Sequence, residues 1–207
     1  MANGRRVRQD ARIFGPPPVT VEVPLLQVGA GLADYEDLGR YVGALRNPRG
    51  LHMTLLHLGV AEELSQDVAR WTKDVTGSEL VLRRVASWLD ELPVLDAFSG
   101  SSQRLIALGG GGVSGLDVDV PQHVFEYQVS LIQALHELLD DLLVDNIDDF
   151  ILSSPALGFR SPRWLPHVAI GRPKDRERGP WEISSLPLEF GASRIRNRQT
   201  LPPAPVG

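Results

Sequence analysis

Apolar residues along this chain follow two different spacings, and the shorter one predicts β-strands. Residues 20–28 form a run of β-branched and apolar side chains typical of a strand. Pro24 within this run favours an edge position or a bulge. Similar runs predict strands at 51–60, 165–172 and 186–195, and shorter β-like segments at 80–88, 94–98, 104–108 and 150–152.

Three longer segments carry apolar residues three and four positions apart, the spacing of a helix. They predict helices at 33–45 and 62–75 and, with the longest signal, at 121–144. Strands interleaved with helices in this way predict an α+β or α/β protein. The proline-rich ends predict an extended lead-in over residues 1–18 and a tail over residues 199–207.

The composition excludes several classes of protein. At 207 residues the chain can form one well-buried domain or two small lobes. A net charge of −5 argues against bulk electrostatic binding of nucleic acid, although a local basic groove remains compatible with it. The absence of cysteine excludes disulfides, thiolate zinc sites and a cysteine nucleophile. Since the sequence has neither a long apolar run nor a secretory signal, we expect a cytoplasmic protein, without membrane contact, and a monomer.

One motif occurs twice, once in each half of the chain. His52-Met-Thr-Leu lies in a predicted strand that ends near Gly59, and His167-Val-Ala-Ile lies in a second one that ends near Arg172. Strand side chains alternate, so His52 and Thr54 share one face and His57 points to the other. His167 and Ala169 likewise share a face. Two imidazoles that face each other across a cleft can act as general base and general acid in one reaction.

These two motifs and their flanking residues resemble those of the two-histidine (2H) phosphoesterase superfamily, which includes the 2′-5′ RNA ligase-like proteins and cyclic phosphodiesterases. The resemblance covers residues 19–198, in one domain. It implies two pseudo-symmetric antiparallel sheet lobes, flanked by helices, around a central cleft. It also implies that His52, Thr54 and His167 are catalytic, with no metal and no cofactor.

Ala169 departs from this family pattern, which has threonine or serine at the corresponding position. The missing hydroxyl would have donated a hydrogen bond to a phosphorane oxygen on which negative charge develops, and losing one such donor costs about 2–4 kcal/mol. A backbone N–H or a nearby arginine could replace part of it. We therefore expect Ala169 to face the substrate and activity to be reduced, or the substrate to bind differently.

The resemblance implies a phosphodiesterase that acts on a nucleotide or RNA end, at a 2′,3′-cyclic phosphate or a 2′-5′ linkage. Which histidine is the acid and which the base is left open by the sequence. Two alternatives remain: a weakened relative that binds such a group without turning it over, which Ala169 favours, and an interaction protein in which the resemblance is accidental.

Other motifs favour ordinary structural roles. The helix segment from His136 to Asp140 lacks the second histidine of a zinc-protease motif, and the glycines at 110–115 lack the following helix of a dinucleotide site. Trp164 is a candidate to stack on a base, as are Phe159 and Arg163 just before it. Basic stretches at 172–178 and 194–198 could line a phosphate groove, although such stretches are more often solvated loops.

Overall fold

The computed structural model describes residues 16–157, 164–174 and 179–202, and within them the chain forms eight strands and five α-helices. The α+β class is therefore confirmed. The strands are β1 (Val19–Val28), β2 (Val42–Leu45), β3 (His52–Gly59), β4 (Phe98–Leu108), β5 (Val113–Asp119), β6 (His167–Pro173), β7 (Trp181–Phe190) and β8 (Arg194–Arg196). The helices are α1 (Leu32–Asp37), α2 (Ala61–Trp71), α3 (Ser78–Glu91), α4 (Gln122–Asp141) and α5 (Ile147–Ser153).

All eight strands belong to one antiparallel sheet. Its order is β2-β6-β3-β1-β7-β4-β5, β8 pairs with β1, and β5 also pairs with β6. Because of this last pairing, the strands from β6 to β5 close into a ring. Strand β1 connects the two sides of the ring, since its first half pairs with β3 and its second half with β7. The expected division into two pseudo-symmetric lobes stays a prediction.

One apolar core stabilises this arrangement. Met53 of β3 and Val168 of β6 are fully buried in it, together with Leu131 and Leu135 of α4. The long predicted helix is confirmed as α4, and its buried stripe follows the predicted spacing of three and four. The core extends to Leu201, whereas residues 1–15 and 203–207 lie outside the described residues. Within the described ranges, no helix is long and apolar enough to cross a membrane.

Four predicted elements were wrong, and in three of them helix and strand were exchanged. Residues 80–88 are part of helix α3, in which Val81, Val85 and Leu89 are buried at a spacing of four. Residues 150–152 are helical, in the short helix α5. The helix predicted at 33–45 ends at Asp37, and its last four residues form the edge strand β2. In each case β-branched residues or a short segment length obscured the spacing of apolar residues that distinguishes a helix from a strand.

Strand β5 was missed altogether, because the run of glycines before it was interpreted as turns. Within this strand Leu116 and Val118 are buried, whereas Asp117 and Asp119 are more exposed. This alternation of apolar and acidic residues is the period of a half-buried strand. Strand β4 begins at Phe98 and contains the segment predicted at 104–108, but residues 94–97 form no strand, so the strand predicted at 94–98 was wrong except for its last residue.

Candidate active site

Strands β3 and β6 lie side by side, and Met53 pairs directly with Val168. Both of these side chains are fully buried. Since neighbours along a strand point to opposite faces, His52 and Thr54 share the other face with His167 and Ala169. The register makes His52 and His167 diagonal neighbours, whose Cβ atoms are about 7–8 Å apart in such pairs. The two motifs therefore lie side by side on one face of the sheet.

The two histidines are oriented in the same way. The Nδ1 atom of His52 lies 3.0 Å from the carbonyl oxygen of Gly50, and that of His167 lies 2.7 Å from the carbonyl oxygen of Leu165. A carbonyl oxygen only accepts hydrogen bonds, so each Nδ1 carries a proton and donates it to the residue two positions earlier. In the neutral form of either ring, Nε2 is then the basic atom.

Trp164 joins the two motifs from outside the sheet. Its indole N–H donates to the carbonyl oxygen of Thr54 at 3.1 Å, and its ring packs edge-on against Phe125 of α4 at 5.4 Å between centroids. The half-buried Trp164 thus fixes the segment that leads into His167 against β3. The other aromatic and basic candidates of this segment, Phe159 and Arg163, lie outside the described residues.

Arg46 lies beside Ala169, the position at which the family pattern has a hydroxyl. Its Nη1 is 3.5 Å from the carbonyl oxygen of Ala169, and its backbone N–H donates to Ile170 at 2.7 Å. The Tyr35 hydroxyl holds this segment by donating to the carbonyl oxygen of Arg46 at 2.9 Å. Burial raises the pKa of Tyr35 to about 12, with the charge of Arg46 acting more weakly in the opposite direction.

His57 faces the same side of the sheet as His52, and the prediction that it points away was wrong. Along β1, Glu22 pairs with Thr54 but Val21 pairs with Leu56, so β3 contains one extra residue. This β-bulge reverses the alternation and places His57 opposite Thr20. Burial lowers the pKa of His57, and its Nδ1 accepts a hydrogen bond from the backbone of Gly59 at 3.1 Å.

A buried carboxylate lies next to His52 and was not singled out from the sequence. Glu22 is fully buried on β1, and its Oε2 is 3.4 Å from Nε2 of His52. Its Oε1 accepts hydrogen bonds from Arg194 of β8 at 2.8 and 3.1 Å, and Arg196 lies 3.5 Å from Oε2. A lone glutamate within an apolar, β-branched run was the sequence signal for it. The basic stretch at 194–196 is therefore a strand beside the candidate site.

The polar face continues on the other side of His167. Asp117 pairs with His167 across β5 and β6, and Arg104 of β4 pairs with Asp117 and with Glu182 of β7. Arg104 and Asp117 also form an ion pair. A cavity of about 550 Å³ opens here, and Arg104, Asp117, Glu182, Phe125 and Pro166 are among the residues that line it. It is large enough for a nucleoside.

The weaker motifs take structural positions. His136 lies partly exposed on α4 and is 3.6 Å from Asp148, and the glycines at 109–111 form a turn between β4 and β5. Arg198 forms an ion pair with Asp90, and residues 175–178 of the other basic stretch lie outside the described residues. Across residues 16–157, 164–174 and 179–202, no group of three or more histidine or acidic side chains is arranged to hold a metal ion.

No protein-family model and no curated protein matches the chain. It is similar to a solved structure described as a phosphoesterase, with 13% identity, coverage of 87% of this chain and 94% of that one, and a TM-score of 0.44. The structure of TT0787 from Thermus thermophilus is 15% identical in sequence; the match covers 86% of this chain and 83% of that one, with a TM-score of 0.41. The structure of E. coli LigT complexed with NADP+ is 12% identical in sequence; the match covers 88% of this chain and 94% of that one, with a TM-score of 0.38.

All three similarities are distant. At such identities and with TM-scores below 0.5, they carry no argument about activity or substrate. The function proposed below therefore rests on the residues of the site.

Proposed function

We propose that the protein is a metal-independent phosphodiesterase that hydrolyses a nucleotide or RNA phosphodiester by two-histidine acid–base catalysis. The observation that carries this proposal is the Met53–Val168 pair, whose register brings His52, Thr54 and His167 to one face of adjacent strands. The matched Nδ1 hydrogen bonds of the two histidines support it, because they leave Nε2 of each ring as the atom available for proton transfer.

The reaction is an attack of water on phosphorus. One imidazole takes a proton from the water as the new P–O bond forms, and the other, protonated imidazole gives its proton to the leaving ribose oxygen. With a 2′,3′-cyclic phosphate the product is a ribose phosphate monoester, and with a 2′-5′ linkage it is a monoester and a free hydroxyl. One ring is neutral and the other charged at the start, so a bell-shaped dependence of rate on pH is expected.

The charge that develops on the phosphorane requires hydrogen-bond donors. Thr54 supplies a hydroxyl on the same face as both histidines. Position 169 lacks the second hydroxyl donor. Arg46 lies beside the backbone of Ala169, and its guanidinium partly replaces that donor by stabilising the negative charge of the phosphorane. The cavity next to His167, with the half-exposed Phe125 at its wall, suits the nucleoside part of the substrate.

The test is a panel of phosphodiesters incubated with the purified protein in excess EDTA. The panel holds 2′,3′-cyclic nucleotides, a 2′-5′-linked dinucleotide and its 3′-5′ isomer, and products are separated by chromatography. We expect turnover of at least one of the first two classes, unchanged by EDTA. Loss of turnover in EDTA, with recovery on adding a divalent cation, would contradict the proposal.

A second candidate function is binding without turnover, and Ala169 is the observation that favours it. The same panel distinguishes the two functions when calorimetry is run beside it. A cyclic nucleotide that binds and is recovered intact after hours would select the binding protein. Turnover of the bound nucleotide would select the enzyme.

A further inference from the structure

Glu22 is a buried carboxylate on β1 that lies between Arg194 and the candidate catalytic residue His52. Its side chain has no exposed surface, and Oε1 is satisfied by two hydrogen bonds from Arg194. Oε2 has no hydrogen-bond partner within the part of the chain that the structure describes, and it lies 3.4 Å from Nε2 of His52. Burying a carboxylate costs several kcal/mol unless it is paired. Arg194 supplies that pairing at Oε1, whereas Oε2 has only His52 and Arg196 near it, at 3.4 and 3.5 Å.

The two nitrogens of the His52 ring have different neighbours, and Nη1 of Arg196 also lies 3.4 Å from Nδ1. Nδ1 donates to the carbonyl oxygen of Gly50 at 3.0 Å, and Nε2 faces the Glu22 carboxylate. Glu22 thus places a negative charge beside the nitrogen of His52 that would exchange a proton with the substrate. His167 differs, because within the described residues no carboxylate lies within ion-pair distance of it.

We propose that Glu22 is a positioning residue that holds His52 as the proton donor and leaves His167 as the base. This inference rests on the proposed function and assigns the two roles within it. His52 then protonates the leaving ribose oxygen, and His167 takes the proton from the attacking water. At 3.4 Å the contact between Oε2 and Nε2 is too long for a strong hydrogen bond, so the Nε2 proton remains available to the substrate.

Other charged or titratable groups on this face influence His52 as well. Arg196 of β8 has its Nη1 3.4 Å from Nδ1 of His52, and this like charge opposes the protonated ring. Arg194 is bonded to the far oxygen of Glu22 and balances its negative charge. This face also carries His57 on the same strand, His167 on the adjacent one, Arg46 beside Ala169 and Asp117 opposite His167. Removing Glu22 and removing Arg196 must therefore act on His52 in opposite directions.

The experiment follows the ring nitrogens of His52 by nitrogen NMR as pH is varied, and it requires no turnover. In Glu22→Gln, we expect His52 to lose its second proton at lower pH than in the wild type. In Arg196→Gln, we expect His52 to retain that proton to higher pH. Asp90→Asn is the matched control, since it replaces another arginine-paired carboxylate, on α3, and leaves His52 unchanged.

Activity measurements add a second readout. The alkaline limb of the pH–rate profile moves to lower pH in Glu22→Gln and to higher pH in Arg196→Gln, while the acid limb, set by His167, stays in place. If both variants leave His52 titrating as in the wild type, the inference is overturned even when the enzyme is active. If no phosphodiester is turned over, the NMR result still decides the role of Glu22. Should Glu22→Gln not fold, Glu22→Asp provides the same test, because the shorter side chain keeps the charge but withdraws it from Nε2 of His52; a His52 that titrates as in the wild type would then overturn the inference.

Discussion

Met53 of β3 faces Val168 of β6, and this one pair determines which side chains of both histidine motifs share a face. A register shift of one residue would turn His167 and Ala169 into the core and Val168 out of it. Both members of the pair have no exposed surface, so the cost of such a shift is high. The hydrophobic core thus holds the two imidazoles together.

Restoring the absent hydroxyl at position 169 tests whether this position contacts the phosphate in the transition state. In Ala169→Thr, we expect kcat/KM for the preferred phosphodiester to rise about tenfold or more, because one new donor reaches the developing charge. Ala169→Val has nearly the same shape without the hydroxyl and is the matched control. Equal rates in the two variants would show that Arg46 already fills this role, or that position 169 does not contact the phosphate.

The Tyr35 hydroxyl predicts a change in stability at high pH. Its folded pKa of about 12 lies above the ordinary value of 10.0, so the neutral hydroxyl stabilises the fold below about pH 10, and this stability is lost as pH rises towards 12. Tyr35→Phe removes that loss, and at neutral pH it costs about 1 kcal/mol for the hydrogen bond to Arg46.

Urea unfolding of the wild type and Tyr35→Phe across this pH range checks the prediction. The raised pKa of Tyr127 contributes to the slope in both proteins, so only the difference between them is informative. Parallel curves above pH 10 would mean that Tyr35 is not buried as described.

His57 predicts the opposite behaviour on the acid side. Burial lowers its pKa below 6.5, so its contribution to stability is complete above pH 6.5 and is lost as pH falls through the lowered value. We expect the free energy of unfolding to decrease less steeply below pH 6.5 in His57→Gln than in the wild type. His136→Gln, on a partly exposed helix face, is the control. A slope that His57→Gln leaves unchanged would argue against a half-buried His57 that is neutral in the folded protein.

Much of the candidate site could be predicted from the sequence, because strand alternation is simple. His52, Thr54, His167 and Ala169 were assigned to their faces by counting residues from the apolar row, and the long helix α4 was visible from its spacing. Both signals are local. They depend on the spacing of apolar side chains, which repeats every 2 residues in a strand and every 3.6 residues in a helix.

The other features of the fold and the site depend on contacts between residues that are distant in the sequence. The bulge in β3 that turns His57 towards the site is visible only in the pairing with β1. Glu22 was passed over because its partners, Arg194 and Arg196, are distant in sequence and come together only when β8 pairs with β1. Helix α3 was interpreted as strand because its valines favour strands, although Val81, Val85 and Leu89 have the spacing of a helix.

The most direct test of the central claim is hydrolysis of a 2′,3′-cyclic nucleotide by three single variants measured in EDTA. Two of them, His52→Ala and His167→Ala, each remove one proposed proton-transfer group, and the third, His136→Ala, removes a histidine outside the site. The account predicts that each of the first two loses at least about a hundredfold in kcat, while the third behaves as the wild type. Wild-type turnover retained by both His52→Ala and His167→Ala would contradict it.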